Sequence, residues 1–571
     1  GVVLCNPFAY DALGPHRSYR LFAETLAEAG FATLRFDYDG TGDSAGDDAD
    51  GERLATWLAD IDTAIEVLKA RTGVNSIALF GLRLSASFAV LAAQDRRDVA
   101  ALMLWAPVVS GRHFVRELKL LQTTSAARAA GAVEDDDFKG LEAAGFRHRA
   151  DTVAALATID LAKLPVPPAP HIALLGRDDV KDDFSLAAQW QAAGANVTVF
   201  EPPGFAAMLR DPHVAVVPQA AFAALVDWLA QRLPETLPAT VVIHASLDAP
   251  QPIVTPAGTQ GGTLLETPFW FGPQSGRQSS LFGVLLRPAQ PVPATADIAA
   301  IFLNSGGNHR IGPSRLTVPL SRHLAGLGCT VLRMDIAGLG DSLRVDGPLP
   351  IFQRDSVADV RAAIDALAAL PGTPLKRFVV VGLCSGGFLG HHAALQDRRI
   401  GSQISINQPR FEWQGAAADG ETIETLTQRN IKPLSFYARA LFSGTTWKRL
   451  FGGELDLRTV LSVSGGKLLL RLKVRLAALM TQLGLKPDAS VAGQYRALSQ
   501  RGVRSTVIVS AQDSAVDELE THLGPRASRL AGDTHFRLVT IEGADHTFTA
   551  SRARSALLQA LAAHIAALPT A

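Results

Sequence analysis

Residues 378–390 read FVVVGLCSGGFLG, and residues 76–87 read SIALFGLRLSAS. In each, an apolar run of strand length meets a glycine, turns through one non-glycine residue and continues into small residues suited to a helix start. The same strand-turn-helix corner at two places makes an internal repeat the first reading to pursue. The correspondence extends outward from both corners. Upstream, TLRFDYDGTGDS (33–44) matches VLRMDIAGLGDS (331–342), followed by the amphipathic segments TWLADIDTAIEVLKA and SVADVRAAIDALAAL. Downstream, both copies reach one tetrapeptide, Gln94-Asp95-Arg96-Arg97 and Gln396-Asp397-Arg398-Arg399. Then HIALLGRDD (171–179) matches STVIVSAQD (505–513), and VTVFEPPGF (197–205) matches RLVTIEGADH (537–546). Each half closes on an apolar helix, AFAALVDWLAQRL or ARSALLQALAAHI.

Strands alternating with helices at this spacing predict an α/β chain whose mostly parallel sheets are covered on both faces. Two tandem units are expected, 1–235 and 263–571, joined by a Pro-rich linker over 236–262. The second has an extra leading pair, LLETPFWF and SLFGVLLRP, expected as an antiparallel start to its sheet. A helical lid is expected at about 408–500, between the corner and the next matched strand.

A chain of 571 residues exceeds one core. Its net charge of −1 gives no global attraction to nucleic acid or anionic membranes, so charge arguments must be local. Cys5, Cys329 and Cys384 are far apart, which suits a reducing compartment and a cytoplasmic location. No apolar run reaches the roughly 18 residues of a membrane span, and no metal is expected. The opening GVVLCNPF reads as a buried strand, so residues upstream of Gly1 are expected.

The order of motifs resembles the α/β-hydrolase superfamily, over nearly the whole chain. That family's elbow has the form G-x-nucleophile-x-G, with small flanks because the nucleophile's backbone is forced into unfavourable dihedrals. The second unit carries Gly382-Leu383-Cys384-Ser385-Gly386, similar to cysteine-nucleophile members such as dienelactone hydrolase-like enzymes and the aminoacyl or acyl shuttles of assembly lines. A buried inert thiol is the bland reading of Cys384. Taking Ser385 as nucleophile would lose the leading glycine. In the first unit the corner reads Gly81-Leu82-Arg83-Leu84-Ser85, and a guanidinium cannot attack a carbonyl.

The resemblance implies the chain order nucleophile, acid, histidine. Asp513, after VIVSAQ, is the expected acid, with Asp517 as the alternative. His546, in a Gly-x-x-His turn, is the expected base, taking the thiol proton and returning it to the leaving group. His391 and His392 read as packing groups. In the first unit Asp179 stands at the acid position but Phe205 at the histidine position, and nearby His213 would have nothing to activate. Arg83 is expected to pair with Asp179, or alternatively to hold a carboxylate or phosphate. The oxyanion donors are expected from the amides of Ser385 and Gly307. In the first unit that loop reads Cys5-Asn6-Pro7-Phe8, where proline removes an N–H.

The expected activity is acyl transfer from an activated (thio)ester through a Cys384 acyl-enzyme. Hydrolysis of an ester, lactone or thioester by the same triad is the alternative, and a binding scaffold is the preferred role for the first unit. No cofactor of its own is implied; the acyl group could ride on phosphopantetheine or CoA. Arg429, Lys432, Lys448, Arg449, Arg471 and Arg475 face only Glu454 and Asp456 within 429–475. This is either a solvated helical face or a dock for an acidic carrier protein, with an apolar lid over a lipid-like substrate as a third reading.

Overall fold

The computed structural model describes residues 1–47, 50–128, 138–164, 166–181, 184–233, 253–256, 262–275, 278–343, 349, 351–372, 375–413 and 490–569. Most of the expected lid, with every basic residue named above, lies outside the described residues. The chain divides into two units, the first chiefly up to Thr255 and the second chiefly from Pro256 onward.

The first unit carries strands β1 (Val2–Cys5), β2 (Thr33–Phe36), β3 (Ile77–Leu82), β4 (Val99–Trp105), β7 (His171–Leu175) and β8 (Asn196–Phe200). A separate hairpin is formed by β5 (Gly140–Ala143) and β6 (Phe146–Arg149). The six-stranded sheet runs β2-β1-β3-β4-β7-β8 and is parallel throughout. The nine-stranded sheet opens with β9 (Ile253–Pro256), β10 (Thr263–Ser275) and β11 (Gln278–Pro288), the last two in the second unit. They are followed by β12 (Ile298–Leu303), β13 (Thr330–Asp335), β14 (Arg377–Leu383), β15 (Ile400–Ile406), β16 (Arg504–Ser510) and β17 (Phe536–Ile541). The order is β17-β16-β15-β14-β12-β13-β11-β10-β9, with β10, β11 and β13 joined antiparallel. Read from β13 to β17, it repeats the first sheet strand for strand. Residues 253–256 were expected within a linker. They are instead an edge strand, whose Ile253, Val254 and Thr255 are β-branched and which ends on Pro256.

The strands read as continuous apolar runs because both faces are buried. In β1, Val3 and Cys5 enter one core while Val2 and Leu4 enter another across the sheet. In β12, Ile298, Ala300 and Phe302 face one core and Ala299, Ile301 and Leu303 the other.

The repeated D-x-x-x-x-G-D-S motif forms one structure twice. Buried Asp335 accepts from Asn304 Nδ2 (3.0 Å), Arg310 N (2.6 Å), Arg310 Nη1 (2.7 Å) and Asp341 N (3.1 Å). Asp37 accepts from Asn6 Nδ2 (2.8 Å) and Asp43 N (3.0 Å). Ser342 and Ser44 each donate to the carbonyl of the aspartate. Gly340 has φ 51°, and a Cβ there would sit 2.0 Å from the Asp335 carboxylate.

Candidate active site

β14 runs buried to Leu383, and the chain reverses at Cys384 (φ 56°, ψ −117°) before the helix Ser385–Gln396. A non-glycine residue held there stores about 1–3 kcal/mol of strain. The surroundings fix it. The Cys384 amide donates to Ile406 O at 2.9 Å, and a Cβ on Gly382 would lie 2.0 Å from the carbonyl carbon of Gly386. The Cys384 thiol is part-exposed, whereas Cys5 and Cys329 are fully buried, and burial pushes both of those thiols up to about 12.

His546 follows β17 on a turn. Its Nδ1 lies 2.8 Å from Asp513 Oδ2, and Cys384 lies close enough to influence the ring electrostatically. Loss of solvent opposes the imidazolium, but the Asp513 carboxylate and Cys384 outweigh it and hold the pKa well above the usual histidine value. Asp513 is buried. Its other oxygen caps the next helix, Ala515–Leu523, by accepting from Ala515 N at 2.8 Å. Asp517 lies in the first turn of that helix, and the carboxylate on the imidazole is that of Asp513.

Of the loop Ser305-Gly306-Gly307-Asn308, the amide turned toward the corner is that of Gly306, which donates to Ser385 Oγ at 2.8 Å. Gly307 was the expected donor. The Asn304 side chain bonds both Asp335 and the carbonyl of Asn308, bracing this loop. A cleft beside Gly306 and Ser385 is lined by Ile336, Ile351, Phe352, Phe388 and Leu389. His391 and His392 lie off the corner. His391 bonds Gln494 at 2.9 Å, and burial lowers its pKa to about 4; His392 bonds Phe411 O at 3.0 Å, with its pKa lowered to about 3.

One residue of this site went unrecognised in the sequence. Asn407 follows β15, is fully buried and has φ 43°. Its Nδ2 donates to His546 O (2.8 Å) and Ser510 Oγ (2.9 Å), while its Oδ1 accepts from Ser510 N (2.7 Å). Ser510 Oγ in turn donates to Asp545 O at 2.9 Å.

The first unit keeps the corner without the chemistry. Arg83 has φ 57° and ψ −123°. Its guanidinium pairs with Glu117, on the helix Gly111–Arg128, and lies 3.5 Å from Asp11. The expected partner, Asp179, is taken by Arg177, two residues back on its own loop, at 2.7 Å. The strand ladders also shift the repeat by one or two residues. Met103 pairs with Ala173 as Ile404 pairs with Thr506; counted on without gaps from these strands, Val180 falls level with Asp513. Ala173 pairs with Thr198 as Thr506 pairs with Arg537, and by the same count Ala207 falls level with His546. Neither Ala207 nor Phe205 can carry a proton. Phe205 is buried near Trp105, ring centroids 6.2 Å apart. Phe8 occupies the Gly306 position, and its ring packs on Trp57 (4.5 Å), His148 (5.6 Å) and Phe88 (6.0 Å), where the second unit has its cleft.

Residues 15–151 match a family model described as serine aminopeptidase, S33, and residues 300–560 one described as alpha/beta hydrolase family. Both units are α/β-hydrolase folds. Among solved structures, the chain is similar to an esterase from Pyrococcus furiosus (13% identity, 53% of this chain, 90% of that one, TM-score 0.32). It is also similar to a dienelactone hydrolase from Anabaena variabilis (16%, 53% and 97%, TM-score 0.30). No curated protein matches the chain. Among the described residues no helix is long and apolar enough to cross a membrane.

Proposed function

We propose that the second unit breaks an ester or thioester through an acyl-enzyme on Cys384 and hands the acyl group to a thiol, amine or hydroxyl acceptor. The observation that carries this reading is one imidazole, His546, bonded to the Asp513 carboxylate and set beside a thiol on a strained strand-helix corner. The raised pKa of His546 suits it to take the thiol proton as the sulfur attacks. The thiolate attacks the carbonyl carbon, and the negative oxygen is received by the amides of Ser385 and Gly306, each worth roughly 3–4 kcal/mol in such holes. The carbon–heteroatom bond then breaks, and the leaving alcohol or thiol takes the proton from His546. An acceptor next loses its proton to His546 as it attacks the acyl thioester, restoring the thiolate. The Ser385 hydroxyl, which holds the Gly306 amide, must swing aside or turn its own proton toward the oxygen.

Hydrolysis by the same groups is the second reading, supported by the hydrolase description of the matched family. An acyl donor on phosphopantetheine or CoA would suit a basic face at 429–475 docking an acidic carrier. The first unit, with Arg83 neutralised and its cleft filled, is proposed as a non-catalytic scaffold.

Intact-protein mass spectrometry with acyl-thioester donors tests the core of this. An adduct should form on the wild type and vanish in Cys384→Ala; unchanged turnover without adduct would remove Cys384. Product that is always free acid, at undiminished rate with acceptors added, would leave only hydrolysis. Charge reversal at Lys448, Arg449 and Arg475 should weaken a carrier in a salt-dependent way.

A further inference from the structure

The acid and the histidine come from separate loops, and helix capping by Asp513 does nothing to hold the loop of His546. Asn407 reaches both. Its amide nitrogen donates to the main-chain oxygen of His546 itself, and its oxygen and nitrogen close two further bonds on Ser510, the last residue of the strand that delivers Asp513. Ser510 continues the chain of bonds to Asp545, next to His546. A side chain with both a donor and an acceptor end is needed for this, and asparagine also tolerates the left-handed backbone at this point.

The duplication supplies an internal comparison. Ala106 occupies the same position in the first unit, with φ 47° and its amide donating to Leu175 O at 2.8 Å, as the Asn407 amide donates to Ile508 O at 2.8 Å. The backbone turn is therefore common to both units. The carboxamide is present only in the unit that has an acid and a histidine to align.

We propose that Asn407 is a positioning residue that locks the loop of His546 to the strand carrying Asp513, fixing the imidazole against the Cys384 sulfur. The inference rests on the acyl-enzyme reading above. Asn407 touches no substrate and acts through His546.

The test is the rate at which iodoacetamide labels Cys384 in the full chain, read by intact mass across about pH 5 to 9. Cys5 and Cys329 are fully buried, so single labelling reports the corner. Wild type should label faster at neutral pH than His546→Ala, because the imidazole takes the thiol proton. Asn407→Ala should lower the neutral-pH rate about tenfold and move the profile toward that of an ordinary thiol. Its folding should survive, since Ala106 takes the same backbone turn in the sister unit. Asn407→Asp keeps the shape but removes the two donated hydrogens, and should do no better than alanine. Ser510→Ala, which spares the direct bond to His546, should produce a smaller shift in the same direction. It decides the matter if the Asn407 variants fail to fold. Wild-type profiles in both the Asn407→Ala and Ser510→Ala variants, with reactivity lost in His546→Ala, would overturn the positioning role alone. An unchanged profile in His546→Ala would instead overturn the acyl-enzyme reading beneath it.

Discussion

Replacing Asp335 by asparagine changes one oxygen into an amide and leaves the volume of a buried side chain almost unaltered. The carboxylate receives four donors, two on each oxygen: Asn304 Nδ2 and Arg310 N on Oδ1, Arg310 Nη1 and Asp341 N on Oδ2. Whichever way the new carboxamide turns, its NH2 meets two of them, donor against donor. Hydrogen bonds to a charged partner are worth about 1.5–3 kcal/mol each, so the loss is about 3–6 kcal/mol. Arg310 keeps Asp341 as a partner at 2.9 Å, which limits the loss to that range. The matching change, Asp37→Asn, sets an NH2 against only one of two donors on a half-buried group, and should cost about 1–2 kcal/mol. Calorimetry of the full chain should therefore show a transition lowered by about 6 °C or more for Asp335→Asn and clearly less for Asp37→Asn. Cys384 acylation should fall as well, because Asn304 and Arg310 flank the loop that carries Gly306. Equal shifts for the two variants, or a loss under about 1 kcal/mol at Asp335, would refute the reasoning.

Acidification should loosen the second unit before the first. Burial lowers His391 to about 4 and His392 and His564 to about 3 in the second unit, against His148 at about 4 in the first. Below about pH 6.5 the unfolded chain takes up protons that these folded histidines refuse, so stability falls as pH drops toward 4. His546 runs the opposite way, its contribution fading as pH rises through its raised value. Hydrogen exchange read peptide by peptide should show earlier opening across β14–β17 than across β3–β8; simultaneous opening would contradict this assignment. Restoring chemistry to the first unit by Arg83→Cys with Ala207→His should yield no acyl adduct there, since Phe8 fills the space beside the corner. An adduct on the new cysteine, seen by peptide mapping, would show that the space is open.

The repeat, the two corners and the antiparallel start of the second sheet were legible because strand length, glycine spacing and motif order are local. What escaped depended on register or on distant segments. Arg83 finds Glu117 on a helix 34 positions away, and nothing in the turn announces that helix. In the first unit the ladders set the strands one residue off the sequence match, because the loops after β7 and β8 differ in sequence from their counterparts. The bond from the Gly306 amide to Ser385 joins residues 79 positions apart, which no local pattern announces. Asn407 carried no signal, since a lone asparagine after a strand reads as a turn residue until its contacts are seen.

Arg83 keeps the dihedrals of a nucleophile, though it attacks nothing. The tension at that bend is accordingly a property of how a parallel strand feeds its crossover helix, maintained by glycine packing whether or not a reaction depends on it. Silencing one half of the molecule thus required no rebuilding of its backbone. Swapping side chains on a scaffold already bent into shape was enough, and the two halves now serve as a matched pair for asking which features belong to architecture and which to reactivity.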